Sequence, residues 1–149
     1  MPCSTAPHAS CGRSNTDPAR AVAVALGEFE LIERWFAQLG AQRDDVVLGV
    51  GDDGALLAPP PGQQLVAVLD TLVQGTHFLA NATPESVGHR ALAVNLSDIA
   101  AMGAEPAWAL LGLTLPSIDA DWLEGFAQGF GGLARQHGVA LVGGDTTRG

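Results

Sequence analysis

Apolar β-type runs in this chain end repeatedly on carboxylates set beside glycine or threonine: Val50-Gly51-Asp52-Asp53-Gly54, Leu69-Asp70-Thr71 and Gly143-Gly144-Asp145-Thr146-Thr147. A fourth carboxylate, Asp98, lies in Ala93-Val94-Asn95-Leu96-Ser97-Asp98-Ile99-Ala100-Ala101-Met102-Gly103. Carboxylates gathered in this way repel one another unless a hard cation sits among them, and oxygen ligands without Cys or His favour magnesium or manganese. The pattern points to chemistry on phosphates. All seven basic residues are arginine (Arg13, Arg20, Arg34, Arg43, Arg90, Arg135, Arg148), so the lysine of a Gly-x-x-x-x-Gly-Lys-Ser/Thr phosphate loop is absent. A nucleoside triphosphate bound here would depend on metal ions for much of its charge neutralisation.

With 149 residues, 47% of them hydrophobic and 15% charged, the chain has the composition of one globular domain with a proper core. A net charge of -9 argues against a nucleic-acid backbone or an anionic membrane surface as partner, since neither is attracted to its own sign. Cys3 and Cys11 lie in the N-terminal stretch, which leaves the body of the chain without thiols for a disulfide or a zinc site. No apolar run approaches the roughly 18 residues of a membrane span. Ala21 to Leu26 is too short for a signal-peptide core. A cytoplasmic location is the expectation.

Residues 1–26 carry Pro2, Pro7, Pro18 and little periodicity, and read as a flexible extension; the folded domain is expected over 27–149. Cys3, His8 and Cys11 are one ligand short of a closed zinc site. Leu31, Ile32, Trp35, Phe36 and Leu39 recur at helical spacing within Glu28–Leu39, with Gly40 as the stop. Val46–Val50 and Gln64–Leu69 read as strands, separated by Gly-Asp-Asp-Gly and by Pro59-Pro60-Pro61-Gly62. Thr83 as N-cap and Pro84 at the first position open a helix that stops at Gly103. Ala107–Leu115 reads as a buried strand, Ser117 or Asp119 caps a helix ending by Gly138, and Val139–Val142 is a last strand. This order predicts an α+β fold with helices covering one face of a sheet. The chain stops at Gly149, directly after Gly-Gly-Asp-Thr-Thr-Arg-Gly, where a functional loop reads as half written, so a longer protein is expected.

Each acidic motif also has an ordinary structural reading. Gly51 and Gly54 would allow positive φ and turn Asp52 and Asp53 towards one point, or simply form an acidic surface turn. Asp70 enters an apolar segment, where an unpaired carboxylate is costly. Asp98 lies on a nearly all-apolar helix where no solvated face is expected, with Asn95 on the same side, or it caps a neighbouring loop. His77 reads as a satisfied core histidine, His89 and His137 as surface residues, and Arg148 as a phosphate contact or a solvated side chain.

Gly27-Glu28-Phe29-Glu30-Leu31-Ile32, Gly49-Val50-Gly51-Asp52-Asp53, Asp70-Thr71-Leu72-Val73 with His77-Phe78, Ala91 through Ala104 and Gly143 through Gly149 together resemble the thiamine-monophosphate kinase family. The resemblance runs from Gly27 to the end. The wider aminoimidazole ribonucleotide synthetase superfamily shares the layout, while the Asp-Thr-Leu-Val…His-Phe and Asn-Leu-Ser-Asp-Ile-Ala-Ala-Met-Gly-Ala segments are similar to the kinase branch.

What the resemblance implies is ATP-dependent phosphorylation of thiamine monophosphate to thiamine diphosphate, with magnesium or manganese as the metal. It implies Asp53, Asp70, Asp98 and Asp145 as metal ligands, Gly144 and Asp145 against ATP, and His77 as a substrate contact. Where family members often carry hydroxyl residues just before Asp70, this chain has Val68 and Leu69, leaving only backbone carbonyls there. It implies further a small mixed or antiparallel sheet of the aminoimidazole ribonucleotide synthetase N-terminal-domain type, completed into a barrel-like core across a homodimer. Family members carry a second α/β domain that this chain lacks, so the chain alone is expected to dimerise and to show little or no kinase activity. The rivals are another ATP-using synthetase of the superfamily, and a non-catalytic dimerising, metal-binding fragment.

Overall fold

The computed structural model describes Glu30 and residues 32–149. The expected extension over 1–26 and the start of the first helix lie outside the described residues. A π-helical turn, Ile32–Phe36, buries Trp35 and Phe36 within the span of the expected Glu28–Leu39 helix. After it, β1 (Val46–Leu48) and β2 (Leu56–Leu57) form a short antiparallel hairpin. Helix α1 (Pro84–Ala101), strand β3 (Trp108–Leu115), helix α2 (Ala120–Gln136) and strand β4 (Ala140–Arg148) complete the chain. The architecture is α+β, with two separate two-stranded sheets rather than one mixed sheet. The larger pairs β3 and β4 in parallel, with α2 as the crossover.

Both helices form where local chemistry directs them. Thr83 Oγ1 accepts from the Ser86 N–H at 3.3 Å, with Pro84 following it. Asp119 Oδ1 accepts from the N–H groups of Asp121 and Trp122 at 3.0 and 3.1 Å. Their C-termini repeat one device: the Ala104 N–H returns to the Ile99 carbonyl and the Val139 N–H to the Ala134 carbonyl, with Gly103 and Gly138 as the left-handed residue before each.

The core is centred on α2, where Leu123, Phe126, Phe130, Leu133 and Ala134 are buried and the rings of Trp122, Phe126 and Phe130 stack in series. Trp35, Phe36 and Leu39 pack against this cluster, as do Val87 and Leu92 of α1 and Leu115, Val139 and Leu141. Burial of each large apolar side chain contributes roughly 1.5–3 kcal/mol. The two helices approach so closely that a Cβ on Gly129 would lie 1.9 Å from the Glu85 carbonyl oxygen, and one on Gly88 2.1 Å from that of Phe126. Only glycine permits this crossing.

Two strand expectations change. The last strand does not end at Val142 but continues through Gly143-Gly144-Asp145 to Arg148. Val142 is left without an opposite residue, because Ala109 pairs with Leu141 and Leu110 with Gly143. Gly144, at φ +152, packs so tightly on β3 that a Cβ would lie 1.9 Å from the Leu111 carbonyl oxygen. The expected strand Gln64–Leu69 forms no ladder with any described residue. Its apolar pattern suits a strand covered on both faces, and among the described residues it has no strand partner.

Candidate functional site

One broad concavity of about 2210 Å³ collects residues far apart in sequence: Asp52 and Asp53, the stretch from Leu65 to Gln74 with Asp70, Asn95 of α1, and Gly143 and Gly144 of β4. It exceeds the roughly 300–1,000 Å³ of a small-molecule pocket and is an open face. Exposed apolar side chains border it, Leu69 at 87% and Leu110 at 71% accessibility among them.

Asp53 sits in the turn between β1 and β2. Asp52 Oδ1 accepts from the Asp53 N–H at 2.8 Å, which commits the first carboxylate to the turn and leaves the second exposed. Gly51 takes φ +116, whereas Gly54, expected to do the same, does not have positive φ. Asp70 is tied to α1 through its backbone: its N–H donates to Asn95 Oδ1 at 3.1 Å, while Asn95 Nδ2 donates to the Ala91 carbonyl at 3.0 Å. Asp98 follows Asn95 by one helical turn, so Asp70 and Asp98 share the same stretch of α1. Asp98 is exposed, contrary to the expectation that its helix has no solvated face, because α1 buries only Val87, Gly88 and Leu92. Asp145 lies opposite Gly112 in the β3–β4 register, and a Cβ on Gly112 would meet nothing within 4 Å. Open space therefore adjoins the Asp145 carboxylate.

Among the described residues, no three His, Cys, Asp or Glu side chains come together as a metal-holding group. Of the expected ligands, Asp53 and Asp70 line the concavity while Asp98 and Asp145 do not, and all four are exposed. His77 is exposed too, so it is not a core histidine. It stands in a separate cavity of about 330 Å³ with Phe78, Ser86 and Arg90. His89 and His137 are surface residues, and Arg148 is exposed at the end of β4.

A polar cluster that the sequence reading passed over fastens the hairpin to the larger sheet. Arg43 Nε and Nη2 donate to the two oxygens of Asp45 at 2.9 and 2.6 Å, Trp108 Nε1 donates to Asp45 Oδ1 at 3.0 Å, and Arg43 Nη1 donates to the Gly138 carbonyl at 2.9 Å. The hydrogen bonds from Arg43, opposed by burial and aided by Trp108, hold the Asp45 carboxyl below its ordinary value. The bond to Asp45 raises Arg43 in turn. No pattern marks Arg43 and Asp45 in the sequence, because their partner Trp108 is distant along the chain.

No helix among the described residues is long and apolar enough to cross a membrane. The family described as AIR synthase related protein, N-terminal domain, matches residues 51–149. The thiamine-monophosphate kinase of Escherichia coli strain K12 is 52% identical over 126 residues, covering 85% of this chain and 39% of that protein. The thiamine-monophosphate kinase of Bacillus subtilis strain 168 is 39% identical over 126 residues, covering 81% of this chain and 38% of that protein. The crystal structure of thiamine-monophosphate kinase from Stenotrophomonas maltophilia K279a superposes with a TM-score of 0.68 at 56% identity, covering 72% of this chain and 34% of that one. The chain thus spans about two fifths of the length of the curated relatives it matches.

Proposed function

The chain belongs to the AIR synthase related protein family, matching its N-terminal domain, and on that premise we propose that it is the phosphate-handling domain of a thiamine-monophosphate kinase. The reaction proposed is transfer of the terminal phosphoryl group of ATP to thiamine monophosphate, giving thiamine diphosphate. The observation that carries this proposal is the meeting of Asp53, Asp70, Asn95 and Gly144 on one concave face, in a chain 52% identical to the Escherichia coli kinase.

The donor set fits magnesium or manganese carried in with a nucleotide. Magnesium commonly takes one or two carboxylates together with substrate phosphates and water, and needs no all-protein cage. Exposed aspartates offered singly or in pairs suit that arrangement, with Asp53, Asp70, Asp98 and Asp145 as the residues that would hold it. Bound there, the metal supplies electrostatic screening between two polyanions. The acceptor is already a phosphate and nucleophilic as it stands, so the task left to the protein is positioning. Asn95 anchors the backbone of Asp70, Gly144 and the space beside Gly112 receive the nucleotide next to Asp145, and His77 contacts thiamine monophosphate.

A homodimer belongs to the same proposal. The stretch Gln64–Leu69, without a strand partner among the described residues and with Leu65 and Leu69 exposed, joins its counterpart in a second copy to complete a barrel-like core.

The activity is tested by exchanging the 126 aligned residues into the Escherichia coli kinase, which provides the remaining length. The chimera is expected to make thiamine diphosphate, and Asp53→Ala and Asp145→Ala each to lower kcat about 100-fold or more, with Asp44→Ala unchanged. Equal activity in all three variants, or preference for the acceptor of a selenophosphate or purine-pathway synthetase, contradicts the assignment.

A further inference from the structure

The turn that carries His77 leaves one polar atom of that residue unused. The His77 N–H donates to the Val73 carbonyl at 2.8 Å, as does the Thr76 N–H at 3.1 Å, and the Gly75 N–H donates to the Phe78 carbonyl at 2.8 Å. The Val73 N–H donates to His77 Nδ1 at 2.9 Å. From α1, Arg90 Nη1 donates to the His77 carbonyl. In a neutral imidazole, an Nδ1 that accepts a hydrogen bond leaves the proton on Nε2. His77 is thereby offered as an Nε2–H donor.

The hydrogen bonds within the turn connect residues 73–78; Phe78 packs against the core, and Arg90 gives the turn its hydrogen bond to a helix. Arg90 also lines the 330 Å³ cavity in which His77 stands. We propose that Arg90 is a positioning residue: by holding the His77 carbonyl from α1, it keeps the turn in the geometry that lets Val73 fix the Nε2–H tautomer, so that His77 donates to an acceptor atom of the substrate. The proposal rests on the reading of His77 as a substrate contact. Arg90 acts through the turn, and only one of its N–H groups is needed, so lysine is expected to replace it in part.

The test is nitrogen-15 NMR of the histidine rings in the 149-residue chain, with amide exchange at Val73. In the unsubstituted chain the neutral His77 ring is expected to show a protonated Nε2 and an unprotonated Nδ1. Arg90→Ala is expected to turn that signature into a tautomer mixture and to speed Val73 exchange roughly tenfold, the loss of about one hydrogen bond. Arg90→Lys is expected to restore most of both. An unchanged tautomer and unchanged Val73 exchange in Arg90→Ala, with circular dichroism unaltered, overturns the positioning role. Thiamine monophosphate added to the unsubstituted chain is expected to shift the His77 Nε2 signal. If Arg90→Ala changes the tautomer but the ligand leaves Nε2 unmoved, the positioning stands and the substrate contact falls.

Discussion

The β3–α2–β4 unit with α1 packed against it closes its helical side within one chain, whereas the stretch from Val46 to Val73 closes neither side. In the first region the helices are capped at both ends, the strands share a ladder and the glycine crossing is filled on both sides. In the second, a short hairpin is followed by an extended segment without strand partners, and Val47, Leu56, Leu65, Leu69 and Val73 are all exposed. Two of the four aspartates proposed as metal ligands, Asp53 and Asp70, belong to the second region. Asp98 and Asp145 hang from the edges of the first. The self-sufficient part is a scaffold, and the proposed chemistry lies where the chain awaits something else.

The sharpest way to break the comparison is in the helix crossing. Gly129→Ala forces a Cβ into a carbonyl oxygen 1.9 Å away, and the helices must separate. A loss of about 3 kcal/mol is expected, at the upper end of the usual cost of overpacking, read as a fall in the thermal midpoint. Next is the unfinished region: Leu69→Asp should weaken self-association roughly 100-fold in sedimentation equilibrium while leaving helical content unchanged. Gly132→Ala, at a helical position with nothing within 4 Å, should instead stabilise the protein by up to about 1 kcal/mol through helix propensity.

The smallest effect concerns the junction between the regions. Asp45 has a folded value below its ordinary 3.8, so its contribution is fully present above that value and is lost as pH falls through the lower folded one. Asp45→Asn should flatten the dependence of stability on pH below about 3.8 and leave its slope near neutrality unaltered. Chemical denaturation across that range is the check.

Much of the finished region is legible in the sequence because its determinants are local. Thr83-Pro84, Asp119, Gly103 and Gly138 mark helix ends by side-chain and backbone chemistry within a few residues. The continuation of β4 is hidden, since Gly143-Gly144 reads as a turn until β3 lies alongside to hold it. Gln64–Leu69 has the pattern of a covered strand, but its cover is not in the described chain. The aspartate motifs stand out individually, and the three-residue spacing puts Asn95 on the Asp98 side of its helix. Arg90 is invisible from spacing, because its link to His77 crosses 13 residues and exists only once the turn has formed.

Residue-resolved hydrogen exchange at two protein concentrations tests the division of the molecule most directly. Amides of α1 and α2 should be protected to the same degree in dilute and concentrated solution, while those of Gln64–Leu69 should exchange freely when dilute and become protected as the protein associates. Concentration-independent exchange in Gln64–Leu69, or protection of α1 and α2 that appears only on association, would contradict the account.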